Sequence, residues 1–123
     1  MIKANVISDH SNWIKNIKNP NDYLNKRLKI LSKVPFFKRK NHEFSVLLTN
    51  NKKMKNLNFK FRKKNKTTDV LSFPIKIKNK SILYVGDIAI SYEIIKHRSK
   101  LTNFFLEFDK MWIHGYLHLI GYD

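Results

Sequence analysis

In residues 103–123, NFFLEFDKMWIHGYLHLIGYD, the apolar residues Phe105, Phe108, Trp112, Tyr116 and Leu119 recur at spacings of 3, 4, 4 and 3. That is the period of an α-helix with a broad apolar stripe, so a helix starting near Thr102 or Asn103 is expected at the centre of the core. The same helix carries His114 and His118, four residues apart and so on one face. Their Cβ atoms then lie about 5–6 Å apart, close enough for both imidazoles to reach one ion at about 2.0–2.1 Å. Gly121 follows three residues later and suits the left-handed turn that ends a helix. The plainer alternative is a pair of ordinary hydrogen-bonded core histidines.

Working back from this helix, Ser91 is a candidate N-cap for a shorter helix through Ile94, Ile95 and Arg98, with Glu93 near its positive end. Ile82–Ile90 reads as a strand in which Gly86 permits a bulge, and Val70–Phe73 as a short strand closed by Pro74, with a polar connection over 76–81. Met54, Leu57 and Phe61 mark a helix over Asn51–Arg62, followed by a basic loop over 63–66. Phe44–Thr49 is a strand, a helix runs from Asp22 to Pro35, and Ile2, Ala4 and Val6 mark one face of an opening strand. About four strands and about four helices, mixed along the chain, predict an α+β domain with a small mixed sheet, one domain over residues 1–123.

With no cysteine, disulfides and thiolate metal sites are excluded, and any transition metal must be held by nitrogen and oxygen. No apolar run approaches the roughly 18 residues of a membrane span and no secretory signal opens the chain, so no membrane association and a cytoplasmic location are expected. Twenty-five Lys and Arg against nine Asp and Glu give a net charge of +16, a field that attracts phosphate backbones. The excess is almost all lysine beside abundant Asn and Ile, so codon usage in an A- and T-rich genome accounts for it equally well.

His114, His118 and Gly121 fit the zinc-protease pattern H-E-x-x-H-x-x-G-x-x-H, but Gly115 stands where that pattern has its catalytic glutamate. A protease is therefore excluded. Gly115 either opens space beside a metal or allows a tight helix–strand contact.

Three blocks in this order and spacing, Thr68-Asp69-Val70-Leu71-Ser72-Phe73-Pro74, Gly86-Asp87-Ile88-Ala89-Ile90-Ser91 and His114 through Asp123, resemble the signature blocks of the YbeY family. Leu57-Asn58 and Phe61-Arg62 resemble the family segment before the first block. The match covers residues 43–123, and the first forty agree only in general layout.

The resemblance implies a zincin-like metal helix and a zinc-dependent, single-strand-specific endoribonuclease. Its expected roles are maturation of ribosomal RNA, including the 3′ end of 16S rRNA, and ribosome quality control, with the small ribosomal subunit as partner. It maps two zinc ligands onto His114 and His118 and a phosphate-binding or charge-stabilising role onto Arg62. The third zinc histidine would directly follow the aspartate matched by Asp123, and that histidine and a C-terminal helix are expected to be missing from residues 1–123. Two alternatives follow from a two-histidine set: a non-catalytic rRNA-binding assembly factor, or the product of an inactive gene fragment.

Asp87 either orients an imidazole from the second coordination shell or caps a turn after Gly86, and Ser72 either contacts substrate or is an ordinary strand serine. Lys60, Lys63, Lys64 and Lys66 are candidate RNA-binding cations. His10, His42 and His97 lie outside the blocks and read as surface residues.

Overall fold

The computed structural model describes residues 1–63 and 68–122. Lys64, Lys66 and Asp123 lie outside the described residues. The elements run β1 (Ile2–Ser8), α1 (Asn12–Asn16), α2 (Pro20–Leu31), β2 (His42–Thr49), α3 (Asn51–Arg62), β3 (Val70–Asn79), β4 (Ile82–Ser91), α4 (Tyr92–Arg98) and α5 (Phe104–Leu119). The strands form one sheet in the order β1-β2-β4-β3. β1, β2 and β4 are parallel, and β3 is the antiparallel edge. This is the mixed α+β architecture expected, with one helix more among the described residues.

That extra helix is α1, five residues with no apolar periodicity to announce it. What holds it is Trp13, fully buried against the rings of Tyr92, Phe104 and Phe108. Its indole N–H donates to the Thr49 carbonyl at 2.9 Å, so the aromatic body is buried without leaving its polar end unpaired.

α2 begins at Pro20 rather than Asp22, because proline at the first helical position gives up an N–H that has no helical partner. Asn19 caps it by accepting from the Asp22 N–H. The helix also shields the open edge of the sheet: Asn25 bonds both the N–H and the carbonyl of Ala4, and Asn21 accepts from the Val6 N–H. Polar side chains thus occupy backbone groups that another strand would otherwise pair with.

β3 continues through Pro74 to Asn79, and the connection to β4 shrinks to a tight turn in which Lys80 takes φ 59°. Pro74 is tolerated because it sits on an edge strand at a register shift, where no ladder N–H is required.

The main core lies between the sheet and the helices α1, α2, α4 and α5, around Phe44, Val46, Ile88, Ile90, Phe108 and Tyr116. A smaller cluster of Met54, Leu71 and Ala89, with Leu47, Leu57 and Phe73, lies on the opposite face under α3. In α5 the buried residues are Phe104, Glu107, Phe108, Trp112, Gly115, Tyr116 and Leu119. Phe105, placed in the stripe by its spacing, is 42% exposed, and Phe104 takes the core position.

Candidate active site

α5 is fixed at both ends. Asn103 caps it by accepting from the Leu106 N–H at 2.8 Å. At its other end Gly121, at φ +103°, lets the Tyr122 N–H reach the Leu117 carbonyl and its own N–H reach that of His118. These paired bonds reverse the chain one turn beyond the histidines.

In the middle, Gly115 lies directly on β4. A Cβ built there meets the Cδ1 and Cγ2 atoms of Ile88 at 2.9 Å each. Of the two readings of Gly115, the tight helix–strand contact is the one realised, and a glutamate at this position would drive α5 off the sheet. Ser72 Oγ donates to the Gly115 carbonyl at 3.3 Å, a second tie between the helix and β3.

This packing turns His114 and His118 outward together. Their Nε2 atoms are 2.8 Å apart and their ring centroids 4.4 Å apart, with His114 exposed and His118 half-buried. Arg62, the last residue of α3, lines the same cleft of about 170 Å³ with Val70, Ser72, Pro74, His114 and His118. The structure therefore brings together Arg62, Ser72 and both histidines, which lie up to 56 residues apart in sequence. Among the described residues no carboxylate lines the cleft.

Arg62, Lys60 and the left-handed cap residue Lys63 cluster at the C-terminal end of α3, where the partial negative charge of the helix favours cations. All three are exposed.

Asp87 is not part of this cleft. Its carboxylate accepts from the Tyr84 hydroxyl and lines a cavity on the α3 face of the sheet, so it neither orients an imidazole nor caps a turn. The cause is a bulge: β2 pairs Glu43 with Tyr84 and then Phe44 with Gly86, skipping Val85. The extra residue shifts the alternation, so Leu83, Val85, Ile88 and Ile90 pack toward the main core while Tyr84 and Asp87 share the other face. Gly86 is required there, because a Cβ would come within 2.3 Å of the Phe73 carbonyl oxygen.

Two of the outlying histidines are also more enclosed than expected. His10 is half-buried and stacks on Tyr92 at 5.8 Å. His42 is half-buried with Nδ1 2.8 Å from the Tyr116 hydroxyl. Burial, with lesser contributions from Lys40 and the N-terminal ammonium, pulls the His42 pKa below its ordinary value. Burial likewise pushes the Tyr116 hydroxyl above the usual tyrosine range. His97 is exposed, as expected.

Two convergent imidazole nitrogens are the right donors for a borderline-soft divalent ion and supply two of the three protein ligands usual at a catalytic site. Among the described residues no group of three His, Cys, Asp or Glu is placed to hold a metal. The residues present fit as a partial donor set.

Comparison with known proteins gives consistent results. The sequence model of the family described as endoribonuclease YbeY matches residues 4–123. The chain is 44% identical over 129 aligned positions to a protein of Pelagibacter ubique named endoribonuclease YbeY, covering 100% of this chain and 83% of that protein. A relative of the same name from Ehrlichia canis is 43% identical over 64% of this chain, and the match spans about half of that protein, 52%. The solution structure of TM1509 from Thermotoga maritima superposes with a TM-score of 0.58 at 26% identity, covering all of this chain and 74% of that one. No helix among the described residues is long and apolar enough to cross a membrane. The family match over residues 4–123, the 44% identity to a relative matched over 83% of its length and the shared fold make this chain a member of the endoribonuclease YbeY family, whose named activity is hydrolysis of RNA.

Proposed function

We propose that this chain is a zinc-dependent endoribonuclease that cleaves single-stranded regions of ribosomal RNA in the cleft between α3, β3 and α5. It would work in the cytoplasm, on the small ribosomal subunit and its precursors, in maturing the 3′ end of 16S rRNA and in ribosome quality control. The observation that carries this reading is the convergence of Arg62, Ser72, His114 and His118 on one cleft.

His114 and His118 would hold the ion through their Nε2 atoms, and zinc bound there would supply Lewis-acid polarisation of a phosphoryl oxygen and activation of water near neutral pH. Arg62 presents a planar fork of donors that grips two non-bridging phosphate oxygens and stabilises the charge that builds on them. Its exposed position lets it meet a flexible strand without the cost of desolvating a buried cation. Lys60 and Lys63, with Lys64 and Lys66 next in the chain, draw the RNA backbone toward the α3 end of the cleft. Ser72, committed to the Gly115 carbonyl, holds the cleft wall in place.

The two-imidazole set gives a second reading its footing: a non-catalytic assembly factor that binds rRNA through the same basic surface. A labelled single-stranded RNA incubated with the protein and added zinc separates the two. Cleavage that disappears in His114→Ala, His118→Ala and Arg62→Ala, and that spares duplex RNA, supports the nuclease. Binding without cleavage, equal in the intact chain and in His114→Ala, supports the assembly factor.

A further inference from the structure

A cavity of about 440 Å³ neighbours the proposed catalytic cleft on the other face of the sheet. It lies within the about 300–1,000 Å³ typical of small-ligand sites. Its walls are apolar: Leu47, Leu57, Phe61, Phe73 and Ile75, with the Asp87 carboxylate as the one charged group. Phe61 and Phe73 meet edge to face at 5.6 Å, yet Phe61 remains 58% exposed, a large aromatic face left bare at the rim. Asp87 accepts from Tyr84 through one carboxylate oxygen, and among the described residues no hydrogen bond reaches the other.

The two cavities share the same two elements. In α3, Phe61 lines this cavity and the next residue, Arg62, lines the catalytic cleft. In β3 the alternation of a strand sends Phe73 and Ile75 to this cavity and Val70, Ser72 and Pro74 to the cleft. Because β3 is the edge of the sheet, nothing but a single strand separates them. Lys60 lies with its ammonium 5.4 Å from the Phe61 ring centroid, so a cation stands beside the bare aromatic face. A phosphate binder, an exposed ring and an apolar slot ending in a hydrogen-bond acceptor, in that order, match the parts of a nucleotide.

We propose that this cavity takes one unpaired nucleobase of the RNA strand whose phosphate lies at Arg62, a reading that rests on the endoribonuclease function proposed above. The strand passes around the β3 edge. Its base stacks on Phe61 and inserts toward Phe73, and the free oxygen of Asp87 accepts from an amino group on the base edge. Only a base that is not paired can leave its own strand this way, so the cavity adds a physical reason for single-strand selectivity.

The test is binding of an oligocytidylate and of the same ribose-phosphate chain without bases, with metal chelated to prevent cleavage, measured by fluorescence anisotropy. The intact chain is expected to prefer the base-bearing strand. Phe61→Ala should weaken that strand about 5- to 150-fold, the usual worth of one stacked base, and leave the abasic strand unchanged. Phe61→Trp should keep the preference, and Arg62→Ala should weaken both strands alike. If Phe61→Ala affects both strands equally or neither, or Phe61→Trp loses the preference, the base site is wrong, while a loss in Arg62→Ala leaves the nuclease reading standing. If neither strand binds the intact chain, both readings fall. If sedimentation shows a dimer that Phe61→Ala dissociates, the cavity is a contact between copies and the proposal is overturned.

Discussion

Replacing Gly115 with alanine distinguishes a packed helix from an open site by the sign of its effect. In an uncrowded helix interior, Gly→Ala stabilises by about 1 kcal/mol, through backbone entropy. Here the new Cβ falls 2.9 Å from both Cδ1 and Cγ2 of Ile88, a fully buried side chain. Overpacking of this kind costs about 1–3 kcal/mol, so the net expectation is a loss near 1 kcal/mol. For a domain of this size that lowers Tm by about 4 °C. Urea unfolding of Gly115→Ala, alone and with Ile88→Val, reads the cause: valine removes Cδ1, so the two changes should cost less together than the sum of each alone. The helix displaced in Gly115→Ala is also the one that aims His114 and His118, so zinc affinity should fall with stability. A variant more stable than the parent, or strictly additive with Ile88→Val, would show that the contact with β4 is not tight.

Three further outcomes follow from the site and its surroundings. Arg62→Ala should lower kcat/KM for RNA cleavage by about 10²–10³ with Tm unchanged, and Arg62→Lys should restore only part of it, because an ammonium lacks the two-pronged fork; equal activity in all three would remove Arg62 from the site. His42 has a folded-state pKa below its ordinary value, so the unfolded chain takes up its proton first, and stability present above about pH 6.5 should be lost as pH falls toward the folded value. Thermal unfolding across pH 7 to 5 should show this loss reduced in His42→Gln, and identical slopes would refute it. Calorimetric titration with zinc should show binding abolished in His118→Ala, and a version lengthened by a histidine after Asp123 should bind more tightly than residues 1–123, as the usual three-ligand site requires; equal affinity would mean that another side chain completes the set.

The parts of the fold that sequence showed most plainly are those where one period runs without interruption. The alternation in β1 and the helical stripe in α3 and α5 each report a face packed against a single surface. The His114–His118 pair was legible for the same reason, since four residues on a helix fix two side chains to one side whatever the helix packs on. Where burial depends on a distant partner, local pattern fails. Trp13 holds a five-residue helix only because Tyr92, Phe104 and Phe108 surround it, and none of these is near it in sequence. The choice of Phe104 over Phe105 for the core is likewise made by Trp13 and Tyr92, against which Phe104 packs.

Asp87 shows how a single extra residue redirects chemistry. Strict alternation from Leu83 and Val85 would send Asp87 to the main core beneath α5, near the histidines, where a carboxylate could orient an imidazole. The bulge at Val85 and Gly86 moves it to the other face, and two consequences follow from that one insertion. Among the described residues the cleft beside His114 and His118 keeps no carboxylate, and Arg62 and the two histidines are the charged or ionisable groups that line it. The opposite cavity gains its one charged group among the described residues, a carboxylate beside Phe73, which pairs with Asp87 across the strands. β3 therefore divides a cleft lined by Arg62 and the histidines from an apolar cavity with a carboxylate in its wall, and the glycine that accommodates the bulge, where a Cβ would strike the Phe73 carbonyl, is as necessary to that division as any residue that lines it.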